Sequence, residues 1–184
     1  MFSVGDLVVY PAQGVGKVEN VEVQEIAGTS AEMYIVKILS NNVKLLVPVS
    51  NVKNVGLRAV YSAKKAKTIL EYIKDRSDFT GYSGQNWNRR YREYSEKLKS
   101  SDLKDVAYVL KELILIGKDK DLSFGERRLL EQAMNLISME ISFALKKEQK
   151  VIKEEIEAMF ADILKAKKEP IDDEEEEDQG SEAS

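Results

Sequence analysis

The 184-residue chain contains no cysteine and no histidine. Those two absences exclude disulfides, thiolate nucleophiles, zinc sites of the usual kinds and imidazole acid–base catalysis. Carboxylates, lysines and tyrosines are plentiful, but no stretch gathers them into a reaction centre, so neither an enzyme nor a metal or cofactor is expected. Long apolar runs are missing too: none approaches the roughly 18 residues that cross a bilayer. The N-terminus lacks the charged-then-apolar pattern of a secretory signal. A cytoplasmic protein without membrane contact is the expectation.

Charge is what the chain does have. Charged residues make up 33% of it, and the formal net charge is −4. That total conceals an asymmetry, because residues 171–184 (IDDEEEEDQGSEAS) carry eight acids and no base. The remainder holds all 28 bases against 24 of the 32 acids, so the body of the protein is net +4. A polyanionic partner is therefore compatible with an acidic pI.

The first sixty or so residues read as strands. Residues 6–10 (DLVVY) form a β-prone run that ends at Pro11, with Gly14 and Gly16 punctuating a turn. Residues 18–26 alternate through Val18, Val21 and Val23 with a break at Asn20, and residues 27–30 (AGTS) turn the chain. Two apolar runs, 33–39 and 43–49, flank the tight-turn signal Ser40-Asn41-Asn42, and residues 55–60 could supply a fifth strand. Pro48 marks its strand as an edge.

At Ser62 the apolar period changes to that of a helix, through Ala66, Ile69, Leu70 and Ile73. Residues 75–85 read as a glycine-bearing loop, and Asn86 can cap a second helix. A third is expected from about Ser101 to a C-cap at Gly117. Ser123-Phe-Gly-Glu126 is a capping box that opens a long helix. Another amphipathic segment, 151–166, follows it or continues it. The expected architecture is α+β: a small antiparallel β barrel-like module at 1–60, an all-helical module at 61–168 and a disordered acidic tail at 169–184.

Residues 81–98 (GYSGQNWNRRYREYSEKL) concentrate the functional signal. The single tryptophan, Trp87, stands before Arg89, Arg90 and Arg92, with Tyr82, Tyr91 and Tyr94 nearby. Cations that take phosphates beside a ring that stacks on or wedges between bases are how proteins hold nucleic acid. The same residues allow a second reading, since Trp87, Tyr91, Tyr94 and Leu98 fall at i, i+4, i+7 and i+11, the stripe of a helix packed in a core. Lys64 and Lys65, crowded into the first turn of the preceding helix against its dipole, extend the candidate basic surface.

Four segments, taken together, resemble the CarD/CdnL family of bacterial transcription regulators: residues 4–18 (VGDLVVYPAQGVGKV), 55–60 (VGLRAV), 86–93 (NWNRRYRE) and 122–133 (LSFGERRLLEQA). The resemblance implies an N-terminal Tudor-like domain that binds the β subunit of RNA polymerase, and a helical domain that contacts promoter DNA upstream of the transcription bubble. It assigns the minor-groove wedge to Trp87 and phosphate contacts to Arg89, Arg90 and Arg92, leaving Tyr91, Tyr94 and Leu98 to the core.

For polymerase, the family uses an exposed sheet edge. The candidates here are Gln24, Glu25 and Ile26 on one strand and Leu45, Leu46 and Val47 on another. Some members carry arginine where this chain has Gln24 and Leu46, so main-chain pairing is retained and a charge contribution is not. A monomer is expected, and the acidic tail could compete with DNA for the Lys64/Arg89 surface. The rival reading is a protein-only adaptor, with a strand-binding β module and a protein-binding helical module.

Overall fold

The computed structural model describes residues 1–81, Gly84 and residues 86–166. Tyr82, Ser83, Gln85 and the expected tail at 169–184, with Pro170 and the last residues assigned to the helical module, lie outside the described residues.

The N-terminal part is one five-stranded antiparallel sheet in the order β4-β3-β2-β1-β5. Its strands are β1 (Leu7–Tyr10), β2 (Gly14–Ile26), β3 (Thr29–Ile38), β4 (Lys44–Pro48) and β5 (Arg58–Ala59). The β2–β3 connection is tight because Ala27 and Gly28 both take positive φ, 52° and 77°, the geometry of a primed hairpin turn. The break in alternation at Asn20 is real: the β2–β3 register shifts between Val18 and Asn20. Such a bulge bends its strand and raises the local twist. Below it Val18 faces Val36, and above it Val21 faces Tyr34. With Val8, Ile38, Val47 and Leu57 these residues form the sheet's own core.

One expectation fails in this module and another is met only in part. Gly14 and Gly16 are strand residues, paired with Tyr10 and Val8. The turn lies ahead of them, where Ala12 has φ 66°. Gly16 is required by crowding, because a Cβ there would stand 2.7 Å from Val36 Cγ1 and 3.0 Å from the Lys37 carbonyl oxygen. The segment at 55–60 is also less of a strand than its valines suggest. A 3-10 turn at Val49–Asn51 leads into a one-turn helix, α1 (Val52–Val55), which closes at Gly56 in the left-handed region and leaves only Arg58 and Ala59 to pair with β1.

Six helices follow: α2 (Ala63–Lys74), α3 (Trp87–Leu98), α4 (Leu103–Asp119), α5 (Phe124–Leu145), α6 (Gln149–Met159) and α7 (Ala161–Ala166). Side chains cap the starts of the first four. Ser62 accepts from the Lys65 amide, Asn86 from Asn88, Asp102 from Lys104, and Ser123 with Glu126 closes both halves of the capping box. Helix α4 is buried almost all round, through Val106, Val109, Leu110, Leu113 and Leu115 among others, which makes it the axis of the bundle. It runs past Gly117 to Asp119, so that glycine is not a C-cap; a Cβ there would meet Leu122 at 3.7 Å. The segment after α5 is not continuous with it, since Lys146 turns to φ 54° and ends the helix. Among the described residues no helix is long and apolar enough to cross a membrane.

The helical core is continuous from Ala66 to Ile163 and separate from the core of the sheet. Substituting Gly16→Ala should cost about 1–3 kcal/mol in chemical denaturation, the usual range for overpacking. The same change made in a Val36→Ala background should cost less, since the crowding methyl is gone.

Candidate nucleic-acid interface

Two buried or half-buried cations fix the chain between α2 and α3. The Lys111 ammonium, on α4, is 1% exposed. It donates to the Tyr72 carbonyl (3.3 Å), the Asp75 carbonyl (2.9 Å) and Asp78 Oδ1 (2.6 Å), and lies 3.9 Å over the Tyr72 ring. All three of its donors are used, as a buried charge requires. Burial followed by the nearby Asp78 carboxylate pushes the Tyr72 hydroxyl up to about 12. Arg76 grips Asp162 through both carboxylate oxygens (2.8 and 2.9 Å) and donates to the Met159 carbonyl. The loop that leads to Trp87 is thus pinned at its start.

Asn86 then turns the chain into α3 by accepting from the Asn88 amide at 3.0 Å. The buried stripe of this helix differs from the expected one. It runs through Arg90 (7% exposed), Tyr94 (2%) and Leu98 (1%), while Tyr91 is 45% exposed. From Trp87 the spacing is i, i+3, i+7 and i+11, one residue removed from the expected set at a single position. Two assignments are corrected by it: Tyr91 is a surface ring, and Arg90 is turned away from the solvent that a phosphate contact needs.

Inside, Arg90 meets Glu126. This carboxylate, in the first turn of α5, is 1% exposed and accepts from the Ser123 amide (2.8 Å) and from Lys120 Nζ (2.9 and 2.8 Å), with Arg90 Nη1 at 3.8 Å. Burial alone would raise its pKa. The hydrogen bonds from Lys120 and Ser123 outweigh that and hold the carboxyl below its ordinary value. The knot draws the first turns of α3 and α5 together.

Trp87 sits on the seam so formed. It is half-buried, packed against the helical core. A Cβ on Gly125 would lie 3.1 Å from its ring, so the glycine lets the indole pack close. Tyr91 backs it at 5.4 Å between ring centroids, tilted by 57°. Phe124, the neighbour of Gly125, is 71% exposed. Arg89 and Arg92 are exposed and line a shallow groove with Asn86 and Asn88. The corner presents aromatic surface on a rigid backing, with free guanidinium groups beside it.

Phe124 and the exposed pair Arg127 and Arg128 were not singled out from sequence, although Phe124 is off the Leu129–Ala133–Ile137 stripe and that mismatch was a readable signal. Lys64 and Lys65 are exposed but stand apart from Trp87. Lys65 lies 3.7 Å over the Tyr61 ring, whose hydroxyl donates to Asp102, the cap that follows the far end of α3. Twelve residues of helix put that end roughly 16 Å from Trp87.

The six candidate polymerase contacts do not form one patch. Register places Leu46 opposite Ile35, which faces Asn20, on the sheet face that also carries Gln24 and Ile26. Leu46 and Ile26 are exposed (53% and 49%), as is Glu25; Gln24 is half-buried and donates to Glu22. Leu45 and Val47 point the other way. Val47 is 2% exposed and Leu45 packs on the same core, so neither side chain is free for a partner. Strand β4 is nonetheless an edge, with backbone groups open on its outer side.

Comparison with known proteins bears on both halves. Residues 2–61 match the model of the CarD-like/TRCF RID domain, and residues 68–157 that of the CarD C-terminal domain. The chain is 26% identical over 143 residues to YdeB of Bacillus subtilis (strain 168), a candidate transcription factor by name, covering 77% of this chain and 90% of that one. Over the sheet module it is 34% identical to the 72-residue N-terminal domain of Myxococcus xanthus CarD, covering 32% of this chain and 79% of that one with a TM-score of 0.29. It is 42% identical to CdnLNt of the same organism, covering 34% and 87%, again with a TM-score of 0.29. With one CarD-type model on each module, in order and over most of the length, the chain belongs to the CarD/CdnL family of transcription regulators.

Proposed function

We propose that the protein is a non-enzymatic initiation factor that binds the β subunit of RNA polymerase through its sheet and stabilises the open promoter complex through Trp87. The observation that carries the proposal is the corner just described. A half-exposed indole held against Gly125 and Tyr91 is preorganised, so little ordering entropy is lost when it meets DNA. An aromatic wedge fills a distorted base step, and the exposed Arg89 and Arg92 hold phosphates without reading sequence. Phe124 adds a second ring on the same corner, and the exposed Lys64 and Lys65 extend the cationic surface towards the other end of α3.

Polymerase already selects the promoter, so the factor needs no sequence preference of its own. A ring that engages the melted complex better than the closed one shifts the equilibrium by that difference alone. Stacking worth about 1–3 kcal/mol corresponds to a shift of about 5- to 150-fold. For the polymerase contact, main-chain pairing on the open edge of β4, with Leu46 presented outward, supports strand addition. Gln24, Glu25 and Ile26 lie further along, near the β2–β3 turn, and their contribution is a second, smaller contact. Leu45 and Val47 contribute backbone only.

Trp87→Ala should shorten the open-complex lifetime by about 5- to 150-fold with the cognate polymerase, while costing about 1–2 kcal/mol of stability because the ring is only partly buried. Loss of folding would instead make Trp87 a core residue and favour the protein-only adaptor. Phosphate contacts have their own signature. Replacing both Arg89 and Arg92 by alanine should flatten the slope of log affinity against log salt by about 2 for duplex DNA. Arg90→Met should leave that slope unchanged and lower the melting temperature.

A further inference from the structure

The two modules meet on a buried ion pair. Arg58, on the edge strand β5, donates from Nη1 to Glu140 Oε1 (2.5 Å) and from Nη2 to Oε2 (2.9 Å), a parallel fork onto a carboxylate that is 1% exposed in the C-terminal part of α5. The Tyr61 amide donates to the same Glu140 Oε1 at 3.1 Å. Arg58 Nε donates to the Ser101 carbonyl between α3 and α4, and its guanidinium lies 4.0 Å over the Tyr61 ring. One side chain therefore joins the sheet, the long helix and the α3–α4 turn.

The packing around the pair is close. Gly14, which opens β2, lies against Leu136 and Met139 of α5, where a Cβ would meet them at 3.5 and 3.8 Å. Gly56 lies against Pro11 and Ser101. At the seam between the modules lies a small cleft of about 20 Å³, lined by Val9, Arg58, Leu98, Leu103 and Glu140 among others. That is room for about one water. Leu98 is the last residue of α3, the helix whose first residue is Trp87.

A buried ion pair is weak evidence for stability, since apolar side chains of the same volume often serve as well. Its bidentate fork does what apolar contact does not: it admits one relative orientation of the groups that it joins. We propose that Arg58 is a positioning residue, which through Glu140 fixes the sheet against the seam end of α3 and so sets where Trp87 stands relative to the polymerase-binding edge. This rests on the function proposed above. With polymerase held at the sheet, Trp87 reaches DNA at an effective concentration that depends on that fixed geometry. A loose joint keeps both binding surfaces and loses their coupling.

The test uses the full chain. Because it has no native cysteine, spin labels at Lys53→Cys and Glu96→Cys, both exposed positions on opposite modules, report one distance. In Arg58→Met, or in the milder Glu140→Gln where the first does not fold, the distance distribution should broaden. Affinity for polymerase without promoter and for forked DNA without polymerase should each stay within twofold of the parent. The gain in open-complex lifetime should fall at least threefold. A distribution that stays narrow in both variants overturns the proposal, as does a loss of polymerase affinity that accounts for the shorter lifetime. If the joint loosens and the lifetime gain persists while Trp87→Ala abolishes it, the positioning role is wrong and the function stands. If Trp87→Ala leaves the gain intact as well, the function itself is overturned and this inference with it.

Discussion

Two carboxylates buried on one helix organise the molecule. Glu126 and Glu140 each retain 1% exposure, and both lie on the inward stripe of α5. A carboxylate removed from water must be met by cations and N–H donors, or it forfeits its hydration without return. Glu126 is met by Lys120, the Ser123 amide and Arg90; Glu140 by Arg58 and the Tyr61 amide. Fourteen residues of helix separate them, about 21 Å. At one end this requirement draws in the helix that carries Trp87, and at the other it draws in the sheet.

Two open surfaces follow from that arrangement. The sheet leaves β4 open at one edge, and the helices leave Arg89, Arg92 and Phe124 open at one corner. Under the function proposed above both surfaces act by binding, and neither is required to carry a reaction centre. Among the described residues, acidic clusters of the kind that hold a metal are absent as well.

Much of this was legible where a local rule decides. The capping box at Ser123 and Glu126, the caps at Ser62 and Asn86 and the edge character marked by Pro48 each depend on a few neighbouring residues, and the structure has them. The core of the bundle followed from helical spacing for the same reason. Where the sequence misled, a distant partner had decided the matter. Arg90 is inside and Tyr91 outside, and the buried guanidinium meets Glu126, far along the chain. Hydrophobic periodicity contains no term for that. Gly16 looked like a turn residue, and is a strand residue with no room for a side chain beneath Val36. Lys111 sits among the apolar residues of α4, and only the returning chain at Tyr72, Asp75 and Asp78 shows why.

The candidate interface was less legible than the fold. Sequence singled out Trp87, Arg89 and Arg92, which share one end of α3, but the alternation of a strand hides Val47 as surely as it exposes Leu46, and only the register says which is which. Phe124 shows the converse, an aromatic residue beside a cap that no stripe claims.

The indole that stands on Gly125 is also the only one in the chain, so every photon of tryptophan fluorescence comes from the corner assigned to DNA. Its emission records solvent at one edge and Tyr91 at the other, and a base stacked on the open part would quench it. The chain thus carries a built-in optical probe of the DNA contact proposed above, readable without a foreign label wherever other tryptophans are replaced.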